Sequence, residues 1–150
     1  MKTVVVGGAA RDIGKTAVAA GLIAALAHRD WTAVKITQFG AGERAVYGDA
    51  WRLEEERDRG AQTDSSRFLA AGARRSFWLR VPAGKLAEAL PALRQAVAGA
   101  ENLVIESNSI LGFLRPELYL MVLGPAGGDL KESAKEFFDR ADAYILVGEA

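Results

Sequence analysis

Short apolar runs punctuate the chain at Thr3–Val6, Ala33–Ile36, Phe77–Val81, Leu103–Ile105, Leu118–Leu123 and Tyr144–Val147. None alternates with polar residues, the pattern of strands buried on both faces of a parallel sheet. Helical periodicity fills several of the gaps. Lys15 to Ala27 is rich in Ala and Leu, with Gly21 its one internal breaker. Ala83 to Ala98 spaces Leu86, Leu90, Leu93 and Val97 at three- and four-residue intervals, with Pro91 predicting a kink or restart. Leu130 to Ala141 sets Leu130, Ala134, Phe137 and Phe138 on one side, opposite a mostly charged one. Strands alternating with helices predict an α/β three-layer sandwich, a mostly parallel sheet with helices on both faces.

Two stretches break the alternation. Ser107 to Pro116 is about the minimum for a parallel crossover and has no helical period, so it predicts either one short helical turn or an antiparallel next strand. Thr37 to Gln62 is irregular, with Gly40, Gly42 and Gly48 ahead of the charge run Arg52 to Arg59. That run reads as a solvated helix of alternating charge. There is no repeat and no interdomain linker, so residues 1–150 are expected to form a single domain.

Composition narrows the chemistry. Nineteen basic and nineteen acidic residues give a formal charge of zero, which argues against a generic nucleic-acid or acidic-membrane binder. The absence of cysteine removes disulfides, Cys-ligated zinc, iron–sulfur clusters and thiol nucleophiles, and a single histidine, His28, removes most histidine metal sites. No apolar stretch approaches the ~20 residues needed to cross a bilayer. A cytoplasmic location is expected.

The chemistry-bearing element is Gly7-Gly8-Ala9-Ala10-Arg11-Asp12-Ile13-Gly14-Lys15-Thr16, between the first predicted strand and the first predicted helix. Phosphate-binding loops sit in that context, where main-chain N–H groups and a helix amino terminus converge on an anion. The expected nucleotide-binding residues are Gly8, Ala10, Arg11, Asp12, Ile13, Gly14, Lys15, Thr16 and Ala17. Lys15 is placed to reach the β- and γ-phosphates and the Thr16 hydroxyl to ligate Mg²⁺. Arg11 contacts phosphate or is a solvated loop residue. Leu103-Val104-Ile105-Glu106 ends a strand in a carboxylate, where P-loop proteins hold Mg²⁺ directly or through water. Lys35 closes the second predicted strand, touching phosphate or substrate, or solvent. Ser107-Asn108-Ser109 follows Glu106 and either orients a ligand or makes local turn bonds. Arg44, Arg74 and Arg75 are weaker candidates, His28 a capping or surface residue, and the three tryptophans core or interface residues.

The spacing from Gly8 to Gly14-Lys15-Thr16 resembles the G-x5-G-K-T loop of dethiobiotin synthetase and its relatives. That resemblance implies that Asp12 partners Mg²⁺, directly or from behind another ligand, and that Lys35 matches a lysine closing the second strand. The run Asp64-Ser65-Ser66-Arg67-Phe68-Leu69-Ala70-Ala71-Gly72-Ala73 is similar to the D-S-x-R-x-x-x-A-G-A segment of MobB, the molybdopterin-guanine dinucleotide biosynthesis adaptor family. Read locally, Thr63 or Asp64 caps a helix that Gly72 stops. The resemblance covers about Val4 to Val147 and implies a P-loop NTPase fold, Mg²⁺ with GTP or ATP, slow hydrolysis, a partner enzyme in cofactor assembly, and a homodimer. In that picture Lys15, Lys35 and Glu106 are the catalytic residues, and Thr16, Asp12 and Glu106 hold the metal. Two alternatives remain open: an ATP-dependent ligase or kinase acting on a small carboxylate, and a non-catalytic interaction protein.

Overall fold

The structure, a computed structural model, describes residues 1–9, 14–124 and 132–148, with 132 and 133 described by backbone alone. Seven strands form one sheet: β1 (Lys2–Gly8), β2 (Trp31–Phe39), β3 (Arg52–Glu56), β4 (Arg75–Pro82), β5 (Asn102–Glu106), β6 (Leu118–Leu123) and β7 (Ala143–Leu146). Their spatial order is β3-β4-β2-β5-β1-β6-β7, with every pairing parallel except β3 against β4. Among the described residues five α-helices accompany them: α1 (Lys15–Ala25), α2 (Arg44–Tyr47), α3 (Asp64–Ala71), α4 (Leu86–Ala96) and α5 (Glu132–Phe137). The three-layer α/β expectation holds.

Strand alternation divides the core into two clusters. On one face Val4, Val6, Ala33 and Val104 pack against Ala19 and Ile23 of α1 and Phe68 of α3. On the other, Val5, Val34, Phe77, Leu79 and Ile105 pack against Leu86, Ala89, Leu90 and Leu93 of α4 and Phe137 of α5. All six apolar runs fall on strands. Those in the middle of the sheet are apolar because a central parallel strand has no solvent face to mark with polar residues. Tyr144–Val147, expected to be buried on both faces, instead lies on the edge strand β7, with Tyr144 and Leu146 exposed. One helix runs through Pro91 without restarting. Of the predicted helix from Leu130, residues 130 and 131 lie outside the described residues, and Ala134 and Phe137 are buried as the period requires.

The charge run is a correction. Arg52–Glu56 is an antiparallel edge strand rather than a solvated helix. Its charges are cross-strand partners: Glu55 takes a bidentate pair from Arg75 at 2.8 and 2.9 Å, and Glu54 pairs with Arg80 at 3.0 Å. Opposite charges at diagonal positions of a ladder stabilise pairing that apolar content alone does not provide. The awkward crossover also resolves, since Ser109–Gly112 forms a single 3₁₀ turn and β6 returns parallel to β1.

β3 is tied to α3 as well. Glu56 accepts from the hydroxyls of Thr63 and Ser65, both at 2.8 Å. The Arg75 hydrogen bond holds the Glu55 carboxyl below its ordinary range. Burial pushes Glu56 up, but the Ser65 and Thr63 bonds outweigh it and leave that group lowered too. The stability these pairs contribute is present above the ordinary glutamate pKa of 4.5 and is lost as pH falls through the lowered values. Amide exchange of Arg52–Glu56, corrected for its intrinsic pH dependence, is therefore expected to lose protection below that pH before the central strands do. Equal loss in β3 and β5 would refute this.

Candidate functional site

The carboxyl ends of β1, β2, β4 and β5 open on one edge of the sheet, where open α/β sheets bind ligands. β1 delivers the chain to the predicted phosphate loop. Gly8 ends the strand, and Gly14 stands immediately before α1 with φ 106°, a left-handed conformation that a glycine adopts without strain. Lys15, Thr16 and Ala17 form the first turn of α1, with Thr16 buried and Ala17 exposed. Ala10, Arg11, Asp12 and Ile13, expected to complete the loop, lie outside the described residues.

Three of the expected residues meet, two of them through strand register and Thr16 from α1. Glu106 pairs with Val6 on one side and Lys35 on the other. Both side chains leave the sheet on the face covered by α1 and α3. The Thr16 hydroxyl donates to Glu106 Oε1 at 2.5 Å, and the Lys35 ammonium donates to Glu106 Oε2. Both oxygens of a carboxylate that is only 2% exposed are thus engaged. Lys35 also reaches Asp64 Oδ2 at 3.1 Å, at the amino terminus of α3. Burial is the largest influence on Lys35 and lowers its pKa, yet attraction to Glu106 and Asp64 together reverses this and leaves it raised. The ammonium is therefore firmly protonated, suited to charge neutralisation and unsuited to work as a base.

Sequence reasoning missed Trp78. It pairs with Lys35 in the β2–β4 register, which extends the cross-strand row to Glu106, Lys35, Trp78 and Glu54. The indole donates to Thr37 Oγ1 at 3.0 Å, and the Arg80 guanidinium lies over it, 4.4 Å from the ring centroid. Tyr47 of α2 stands 5.7 Å from the same guanidinium. Lys15, Lys35, Thr37, Gln38, Glu43, Tyr47, Thr63, Asp64, Ser65, Trp78 and Ser107–Ser109 enclose a cavity of about 460 Å³. It spans the carboxyl edge from α1 across β5 and β2 to β4. Only the long-range register places Trp78 there, and no local signal in the sequence separates it from a core tryptophan.

Asn108 also departs from the expected ligand contact. Its side-chain amide mimics a further rung of the β1–β5 ladder, accepting from Gly8 N–H at 3.0 Å and donating to Gly8 C=O at 2.9 Å. It fixes how the chain leaves β1 for the loop. A Cβ added at Gly7 would overlap Asn108 Oδ1 and sit 3.0 Å from Tyr119 Cε1. Gly7→Ala is thus expected to cost about 1 to 3 kcal/mol, as overpacking does, measured by urea denaturation; an unchanged midpoint would contradict it.

Ser107 Oγ lies 3.2 Å from Ser109 Oγ and accepts from Ile110 N–H at 3.2 Å. Thr63, rather than Asp64, caps α3, accepting from Ser66 N–H at 3.2 Å, and Gly72 ends that helix with φ 120°. Arg44, Arg74 and Arg75 pair with Asp49, Asp30 and Glu55, away from the cavity. His28 is exposed in a 3₁₀ turn after α1, and Trp31 is core.

The chain is similar in fold to LpxK from Aquifex aeolicus, a crystal structure determined in complex with ATP, with a TM-score of 0.58 and 16% identity. What the two share is the fold, a mostly parallel α/β sheet with helices on both faces. The match covers 98% of this chain and 48% of LpxK, so this chain spans about half the length of that protein. No family model matches the chain, and no curated protein matches it in sequence. Among the described residues no helix is long and apolar enough to cross a membrane.

Proposed function

We propose that this chain binds a magnesium–nucleoside triphosphate, ATP or GTP, at the carboxyl edge of its sheet and hydrolyses it slowly. The observation that carries this reading is the convergence of Thr16, Glu106 and Lys35 beside the helix amino terminus that follows the glycine-bearing loop. Similarity of fold to LpxK, solved with ATP, supports it. The main-chain amides from Gly8 to Ala17 and the Lys15 ammonium would bind the phosphates.

The donor set fits Mg²⁺, a hard cation that takes one or two protein oxygens and keeps water or phosphate for the rest. Thr16 and Glu106 supply a hydroxyl and a carboxylate 2.5 Å apart, and the loop resemblance adds Asp12. Bound there, the ion supplies charge neutralisation of the triphosphate. Glu106 would orient the attacking water and Lys35 would face the transferred phosphoryl group. The segment Asp64–Ala73 extends the reading to a MobB-like role. In that role the nucleotide chemistry of a single-domain, cytoplasmic homodimer serves a partner enzyme in assembling a molybdopterin-guanine dinucleotide-like cofactor.

A second reading is favoured by the cavity. Its volume of about 460 Å³, reaching from Lys15 past Lys35 to Trp78, falls in the range of small-molecule sites. A ligase or kinase would use that space for an acceptor and turn over faster than about 1 s⁻¹ once supplied with it. An adaptor would stay slow alone and accelerate with its partner.

Thermal unfolding with Mg-ATP and Mg-GTP tests the shared core of both readings. At 100 times its dissociation constant the ligand should add about 2.7 kcal/mol of apparent stability, and Lys15→Ala should lose that gain. No shift with either nucleotide would remove both readings.

A further inference from the structure

We infer that Lys35 is a specificity-determining residue that closes Glu106 to a free divalent ion and reserves it for one arriving with a triphosphate. The inference rests on the nucleotide reading above. Without ligand the charges are already balanced. Glu106 is buried with one oxygen held by the Thr16 hydroxyl and the other by the Lys35 ammonium, and Lys35 is shared with Asp64. The ammonium stands where Glu106 would otherwise turn an oxygen to a metal. Among the described residues no three carboxylate or histidine side chains gather into a site for an ion alone.

With a cation already on one oxygen and a hydroxyl on the other, Glu106 attracts a divalent ion strongly when Lys35 lets go, and Lys35 lets go at low cost when something else satisfies it. Asp64, half-exposed and 3.1 Å away, supplies one partner. A lone dication would leave Lys35 with that partner only and set two like charges against each other in a poorly solvated corner. A triphosphate changes the exchange, because its oxygens give Lys35 a second anionic partner in place of Glu106. Phosphate without metal is disfavoured for the converse reason, since it brings negative charge towards a carboxylate already neutralised. Lys35 thus makes the two components help one another, and that coupling must act equally in both directions.

Mn²⁺ binding followed by electron paramagnetic resonance tests this, with and without the non-hydrolysable analogue AMPPNP. Lys35→Met is expected to bind Mn²⁺ alone at least about tenfold more tightly than wild type. That gain should vanish in Lys35→Met/Glu106→Gln. In wild type AMPPNP should raise Mn²⁺ affinity by at least about tenfold, and Mn²⁺ should raise AMPPNP affinity by the same factor. Lys35→Met should shrink both factors. An unchanged Mn²⁺ affinity in Lys35→Met, or a gain that survives removal of the Glu106 charge, overturns the inference. If Lys35→Met does not fold, Lys35→Gln takes its place. The wild-type measurement decides independently of either variant: Mn²⁺ bound equally well with and without AMPPNP also overturns it. Failure of the nucleotide reading looks different, as AMPPNP and Mg²⁺ together would then give no thermal shift, whatever Mn²⁺ alone does in the two proteins.

Discussion

Lys35→Met is expected to lower the unfolding free energy by about 3 to 5 kcal/mol, the range for removing one member of a buried ion pair. The loss comes from the group left behind rather than the group removed. Glu106 is 2% exposed, and the Lys35 ammonium pairs with one of its oxygens. Uncompensated, that carboxylate must desolvate without a counter-charge or take up a proton. The double replacement Lys35→Met/Glu106→Leu should recover most of the loss, because an apolar pair of similar volume is often as stable as the ion pair it replaces. Lys35 is raised above its ordinary pKa of 10.5, so the pair's contribution is complete below that pH and fades as pH climbs through the raised value. Urea denaturation of the four proteins closes the cycle. A single-variant loss below about 1 kcal/mol would place the pair with ordinary surface bridges and contradict the buried arrangement.

Glu106→Gln is expected to cut triphosphate turnover by at least about a hundredfold while leaving the fold in place. The amide is isosteric, and its oxygen can still accept from the Thr16 hydroxyl. Its NH2 then meets the Lys35 ammonium donor to donor, so stability falls while the fold persists. Lys35 keeps Asp64 at 3.1 Å. What disappears is the negative charge proposed to hold the cation and orient the water. Phosphate release assayed at saturating Mg-ATP and Mg-GTP, beside far-ultraviolet circular dichroism, separates loss of chemistry from loss of structure. A folded variant that retains more than about a tenth of wild-type turnover would remove Glu106 from the proposed machinery. The same assay at rising Mg²⁺ shows whether the defect lies in metal affinity, because excess metal would then restore part of the rate.

The parallel core was legible because strands buried on both faces must be apolar throughout, as in Val4–Val6 and Leu103–Ile105. The two ends of the cluster were legible for a related reason. Thr16 opens a helix after a glycine-bearing turn, and Glu106 ends its strand. Lys35, expected to close the second strand, stands in the middle of β2, which runs on to Phe39. Both charges interrupt apolar runs where a charge has no packing role. β3 was hidden because an edge strand faces solvent and can be built from charges, which in sequence look like a solvated helix. Trp78 was hidden because its place depends on pairing with Lys35 across more than forty residues of intervening chain. Asn108 was hidden for a third reason: its amide copies the hydrogen bonding of a peptide group, and sequence cannot show a side chain standing in for backbone.

The polar margin formed by β3 bears on how crowded copies of the molecule behave. A bare, apolar outer strand invites neighbouring chains to add to the sheet and polymerise. At this one of the sheet's two margins the strand carries Arg52, Glu54, Glu55 and Glu56 around a single Leu53, so a second copy approaching in antiparallel register sets Glu54 against Glu54 in the middle of the run. Stacking through that side is discouraged without a proline, a bulge or a covering helix, and the residues that hold β3 in place also act as its guard.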